Sequence, residues 1–104
     1  MIVNERIVTY MHSLEKSNSS VLEKIEQQAH ADKVPIIRKE MESFLRVMLL
    51  MKKPKRILEL GTAVGYSAIL MSESIDSDAT ITTIENYERR IPIARENIGL
   101  AGKE

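Results

Sequence analysis

Arg56-Ile57-Leu58-Glu59-Leu60-Gly61-Thr62-Ala63-Val64-Gly65-Tyr66-Ser67 is the stretch that decides the fold. Its first five residues form a short, mostly apolar run halted by a glycine, the pattern of a buried parallel strand. Residues 61 to 66 carry two glycines and read as a loop, and Ser67 to Ser74 reads as a helix with Ile69 and Leu70 turned inward. Asp76-Ser77-Asp78 marks a turn. Thr80-Ile81-Thr82-Thr83-Ile84 is a β-branched second strand ending on Glu85. A last helix carries Ile91, Ala94, Arg95 and Ile98 and stops near Gly99 or Gly102. Pro92 lacks an N–H, so this helix is expected to begin around Glu88 and hold the proline in its first turn. Strand, helix, strand, helix with a right-handed crossover is half of a doubly wound α/β fold.

Upstream of Arg56 the period is helical. Ile7, Val8, Met11 and Leu14 recur at helical spacing until the polar run Ser17-Asn18-Ser19-Ser20. Ser20 stands three before Glu23, a capping-box signature, and Leu22, Ile25 and Ala29 give the second helix a narrow apolar stripe. Val34-Pro35 breaks the pattern, because the residue before a proline is pushed into extended conformations. In a third helix Ile37, Met41, Phe44, Leu45, Met48 and Leu49 form a broad face expected to be buried, and Pro54 closes it. The chain therefore divides into a helical segment, 1–54, and an α/β segment of the same domain, 55–104.

The chemistry concentrates in the loop. In an open α/β sheet, ligands bind at the carboxyl ends of the strands, where each loop meets the next helix. Gly61 and Gly65 let the backbone turn sharply and approach a ligand closely. The helix start near Ser67, with its hydroxyl, suits a carboxylate, and Glu59 at the strand's end suits a cationic amine. A ligand bearing both groups would satisfy the two ends of the loop together, which is the character of the amino-acid portion of S-adenosylmethionine. The dinucleotide fingerprint G-x-G-x-x-G would need glycines where Ala63 and Tyr66 stand. Glu85 lies 24 residues beyond Gly61, at the end of the second strand, where its carboxylate can accept bonds from both hydroxyls of a ribose. A plain strand-to-helix turn would use the same glycines, and a solvated acid could end the second strand.

ILELGTAVGYSAI followed by TITTIEN resembles the first two motifs of the catechol and caffeoyl-CoA type O-methyltransferases, which are class I S-adenosylmethionine enzymes. VPIIRKEMESFLRVML resembles that family's cofactor-covering region ahead of the first strand. The resemblance is closest to the bacterial branch that includes the tRNA 5-hydroxyuridine methyltransferase, and it matches the N-terminal half of the family's Rossmann-like fold. It implies that Glu59, Gly61, Ser67 and Glu85 contact S-adenosylmethionine, with Thr62 and Gly65 in the same loop, and that Ile37 or Val34 lines the methionine end. It also implies methyl transfer from the sulfonium to a hydroxyl oxygen of an RNA base or a catechol-like acceptor. A divalent cation, magnesium by the family pattern, would position and acidify that hydroxyl. The family's metal ligands, two aspartates and an asparagine, lie in later strands and loops, so neither catalytic nor metal residues are assigned in this chain.

Composition bounds the alternatives. The 104 residues are 43% hydrophobic and 29% charged, ordinary for a globular domain. Fifteen basic and fifteen acidic side chains cancel, which gives no overall pull toward nucleic acid or an anionic membrane. There is no cysteine, which rules out disulfides and thiolate metal sites. The N-terminus is amphipathic with mixed charge and does not read as a signal peptide, and no apolar run approaches the ~20 residues of a membrane helix. These features point to a soluble cytoplasmic protein. His12 and His30 read as solvated, Asp76 and Asp78 as turn formers, and the methionines as packing. Lys52-Lys53-Lys55-Arg56 reads first as a solvated connection and second as an RNA contact, since no aromatics interleave it. A non-catalytic nucleoside-binding or assembly module is the alternative function, although it has no reason to pair Glu59 with Ser67. An NAD-dependent oxidoreductase is disfavoured by the loop spacing. A homodimer, or self-association of the chain, is expected from the lone strand pair.

Overall fold

The structure, a computed structural model, describes residues 4–14 and 18–103, the side chain of His12 excepted. Expectations placed on Ser17 and on the His12 side chain lie outside the described residues. Three helices lead: α1 (Glu5–Ser13), α2 (Ser20–Ala31) and α3 (Lys39–Lys52). There follow β1 (Arg56–Leu60), α4 (Tyr66–Ser72), β2 (Thr80–Ile84) and α5 (Ile91–Leu100). The two strands pair in parallel, from Arg56 opposite Thr80 to Leu60 opposite Ile84. The α/β class and the order of elements follow the sequence reading, and both strands fall on the residues expected of them.

The core sits among helices. Leu22, Ile25 and Ala29 of α2 meet Tyr66, Ile69 and Leu70 of α4 and Val64 of the loop, with Val21, Val34, Ile36, Ile37, Leu45, Ile98 and Ala101 packed around them. α4 is buried on nearly every side, so its seven residues need no propensity of their own: tertiary packing holds them helical. Leu22 and Leu70 are fully buried, and each such side chain stabilises the fold by about 1.5–3 kcal/mol.

The helix ends depart from the sequence reading in ways that local chemistry explains. Ser19, not Ser20, caps α2: its hydroxyl accepts from the Leu22 N–H at 3.4 Å and donates to Glu73 just beyond α4 at 2.8 Å. α2 ends before Val34-Pro35, with Lys33 left-handed at φ 56° and the Val34 N–H donating to the Ala29 carbonyl. α3 likewise closes on a left-handed Lys53, one residue ahead of Pro54. α5 starts at Ile91 rather than Glu88, because residues 88–90 form a turn; Pro92 keeps its place in the first helical turn, where no N–H partner is required. It ends at Leu100, with Ala101 as its cap and a left-handed Gly102 next.

Two burial expectations are corrected. β1 is covered on one face only: Ile57 and Glu59 are half-buried, but Leu58 and Leu60 are 65% and 77% exposed. On α3 only Leu49 of the expected face is fully buried, whereas Met41, Phe44 and Met48 are exposed. An apolar stripe states which side seeks a partner, not that a partner is there. Among the described residues nothing covers these two faces.

Candidate functional site

β1 and β2 end side by side, and their in-register pairing brings Glu59 opposite Thr83 and puts Glu85 just past the last pair. The loop leaving β1 is fastened at once, since the N–H groups of Gly61 and Thr62 both donate to the Ile84 carbonyl at 2.8 and 3.2 Å. It then makes three left-handed steps, at Gly61 (φ 94°), Ala63 (φ 49°) and Gly65 (φ 87°). Nothing lies within 4 Å of where a Gly61 Cβ would stand, so that glycine leaves open space over the loop. Gly65 differs. A Cβ there would meet Ile98 at 3.3 Å and the Ala94 carbonyl at 3.4 Å, so this glycine admits α5 rather than a ligand.

The left-handed Ala63 is held by Glu85. One Glu85 oxygen accepts the Ala63 N–H at 2.7 Å and the other accepts the Tyr87 N–H at 3.0 Å. These bonds, Ala63 first, hold the carboxyl below the usual glutamate range. The fastening is therefore fully present at neutral pH and is lost only as pH falls through that lowered value. A carboxylate has about four lone-pair positions, so each oxygen keeps acceptor capacity for a ligand hydroxyl.

Glu59 is gripped from both sides. Thr83 donates its hydroxyl to one oxygen at 2.7 Å, Ser67 donates to the other, and Thr62 shares a hydrogen bond with Thr83 at 2.6 Å. The Ser67 hydroxyl is thus engaged with Glu59 rather than free at the helix start. This chain of hydroxyls orients a half-buried carboxylate beside the loop.

Above the loop lies a cleft of about 250 Å³, lined by Pro35, Ile36 and Ile37 on one side and by Gly61, Thr62, Ala63, Tyr66 and Ser67 on the other. Of the two apolar residues expected at the cofactor's methionine end, Ile37 lines this cleft. Val34 packs against the core instead. Glu59 and Glu85 are not among the lining residues; they stand at the ends of adjacent strands and bond the cleft's Ser67 and Ala63.

A polar cluster against the same loop escaped the sequence reading. Tyr66, 2% exposed, donates its hydroxyl to Glu42 at 2.7 Å and approaches Glu26 at 3.3 Å. Asn18 donates to both Glu42 and Tyr66 at 3.0 Å and accepts from Arg46. Lys39 pairs with Glu26 and, at 3.3 Å, with Glu42. Burial, and then Glu42, pushes the Tyr66 hydroxyl up, so it remains a protonated donor. Burial works against the Lys39 charge, but the two glutamates outweigh it and raise that group. The signal in the sequence was Glu42 itself, which stands three before Leu45 and seven before Leu49 on the inward stripe of α3.

Lys55 of the basic run is occupied, lying 3.0 Å from both Asp76 and Asp78. Those aspartates form a turn, as expected, and pin it to the start of β1. Among the described residues no three His, Asp or Glu side chains converge as a metal site. The divalent cation implied by the resemblance therefore finds no fitting ligand set here, and no step is assigned to it. No helix among the described residues is long and apolar enough to cross a membrane.

Known proteins resemble this chain in sequence and fold. A family model described as O-methyltransferase matches residues 11–104. The catechol O-methyltransferase of Niastella koreensis is 36% identical over 59 residues, which cover 57% of this chain and 27% of that protein. The solved O-methyltransferase from Bacillus cereus in complex with SAH superposes with a TM-score of 0.81 at 28% identity, covering 94% of this chain and 46% of that one. TomG from Streptomyces achromogenes, an O-methyltransferase of tomaymycin synthesis solved in complex with SAM, gives 0.80 at 26% identity, covering 98% and 48%. The chain thus spans less than half the length of these relatives. With a family model matched from residue 11 onward and an α/β frame shared with solved O-methyltransferases, the chain belongs to the O-methyltransferase family.

Proposed function

We propose that this chain binds S-adenosylmethionine in the cleft between Pro35–Ile37 and Gly61–Ser67, and that the protein built on it transfers the methyl group to a hydroxyl oxygen. One observation carries the reading: two oriented carboxylates, Glu59 and Glu85, stand at the ends of adjacent parallel strands and are both bonded to one glycine-opened loop and the helix start after it. Glu59 receives the cofactor's ammonium, and its grip by Thr83 and Ser67 keeps it pointed. Glu85 receives the ribose hydroxyls. The backbone N–H groups at Ser67 serve the ligand's carboxylate while its hydroxyl aims Glu59, and Ile37 lies along the methionine chain. Val34 supports that wall from the core, and Gly65 sets the depth of the loop. Complexes of relatives with SAH and SAM support the same cofactor.

The segment 1–54 acts as cover and 55–104 as the cofactor-binding half of a doubly wound sheet. Transfer itself breaks the sulfonium–methyl bond, leaves a neutral thioether, and requires the acceptor hydroxyl to give up its proton. Cation assistance to that proton loss belongs to residues other than those described, and a cytoplasmic setting is part of the same proposal.

Ser67→Ala tests the methionine end. It frees one Glu59 oxygen and removes a donor, so S-adenosylhomocysteine is expected to lose about tenfold in affinity while adenosine binds both proteins alike. Equal losses for the two ligands would mean that Ser67 holds the loop rather than the ligand.

The acceptor is a hydroxyl on an RNA base or a catechol-like ring. The motif resemblance favours tRNA, the Niastella relative favours catechol, and the ion pairing of Lys55 leaves the basic run a weaker RNA contact. Radiolabelled cofactor offered to the whole protein with bulk tRNA or with a catechol decides. Label in tRNA is the expected result, and label in the catechol alone removes the RNA base.

A further inference from the structure

We propose that Glu42 is a positioning residue of the cofactor cleft, fixing both of its walls from a buried site that no ligand touches. This rests on the cleft being the cofactor site. One wall is the loop that ends in Tyr66, whose phenol is anchored on Glu42 at 2.7 Å. The other wall is Pro35–Ile37, which runs straight into α3, and the start of that helix is tied down where Lys39 bridges Glu26 and Glu42. A single carboxylate, 4% exposed, therefore holds the residue between Gly65 and Ser67 and also the helix that follows Ile37. Its charge is matched inside the cluster: Glu26 and Glu42 face Lys39, and Arg46 closes the far side through Asn18.

An apolar core would bury as much surface without such a knot. What the knot adds is direction. A phenol donating to a fixed acceptor sets where its own backbone lies, and here that backbone carries Gly65 and Ser67 into the site. Removing the acceptor leaves the buried phenol only its longer 3.3 Å contact to Glu26 and leaves Lys39 with Glu26 alone, so the backbone that the phenol positions is released.

The test compares Glu42→Ala, Glu42→Gln and Tyr66→Phe with Ile25→Val, a mild core truncation in the same bundle, each at a temperature where circular dichroism shows it folded. Glu42→Ala is expected to weaken S-adenosylhomocysteine binding about tenfold and Tyr66→Phe about threefold, while Ile25→Val leaves affinity unchanged. Glu42→Gln keeps an acceptor for the phenol and should recover most of the loss. Amide hydrogen exchange at Ala63 and Ser67, measured without ligand, should quicken in Glu42→Ala and Tyr66→Phe but not in Ile25→Val. That readout judges the positioning role even if the wild-type protein fails to bind the cofactor, a result that would fell the cleft assignment alone. Unchanged loop exchange in both Glu42→Ala and Tyr66→Phe overturns the proposal, as does wild-type affinity in both variants of a protein that binds.

Discussion

Glu85→Ala is expected to weaken S-adenosylhomocysteine binding about ten- to a hundredfold, the span for losing charge-assisted bonds to two hydroxyls. The side chain has two tasks at once. It fastens the left-handed Ala63 through a 2.7 Å bond, and it keeps acceptor positions for a ribose. Glu85→Gln separates them, because the amide oxygen can still accept from Ala63 while the charge is gone. The glutamine variant should therefore keep the loop's exchange protection and still lose affinity, whereas alanine loses both. Calorimetry on the three proteins reads the affinities, and an unchanged value for Glu85→Ala removes the residue from the site.

The 104-residue chain by itself is expected to self-associate and to show no methyl transfer. Its sheet is two strands, and β1 pairs only with β2, so one side of β1 presents unpaired backbone groups among the described residues. Beside that open edge Leu58, Leu60 and Ile84 are 65%, 77% and 51% exposed, where a parallel sheet is normally covered on both faces. Such a surface is a template for a second copy. Light scattering should show mass rising with concentration, and Leu58→Lys with Leu60→Lys should hold the chain closer to monomer. A well-folded monomer at high concentration would show that the helical segment already protects the edge.

The strands were legible because nothing competes with their signals: Pro54 and Gly61 bracket one, and the β-branched run from Thr80 to Ile84 makes the other. Glu59, Gly61, Ser67 and Glu85 could be placed for the same reason, since a loop at the end of a strand inherits its position from the strand. What stayed hidden depended on contacts between distant residues. Asn18 precedes α2, Glu26 lies on α2, Lys39 and Glu42 on α3 and Tyr66 on α4, so no local sequence pattern brings them together. Gly65 reads as a ligand-facing residue in the sequence, but Ile98 from α5 packs against it. The apolar face of α3 was visible in the sequence, but its exposure was not, because periodicity carries no information about whether a partner exists.

Amide shifts followed during titration of the isotopically labelled chain with S-adenosylhomocysteine test the central claim most directly, since they locate even weak binding. The account predicts saturable shifts that are largest at Ile37, Gly61, Thr62, Ala63, Ser67 and Glu85. Shifts confined to the groove that Val21, Ile25 and Gln28 of α2 form with Ile93 and Leu100 of α5, or none at millimolar ligand, would contradict it.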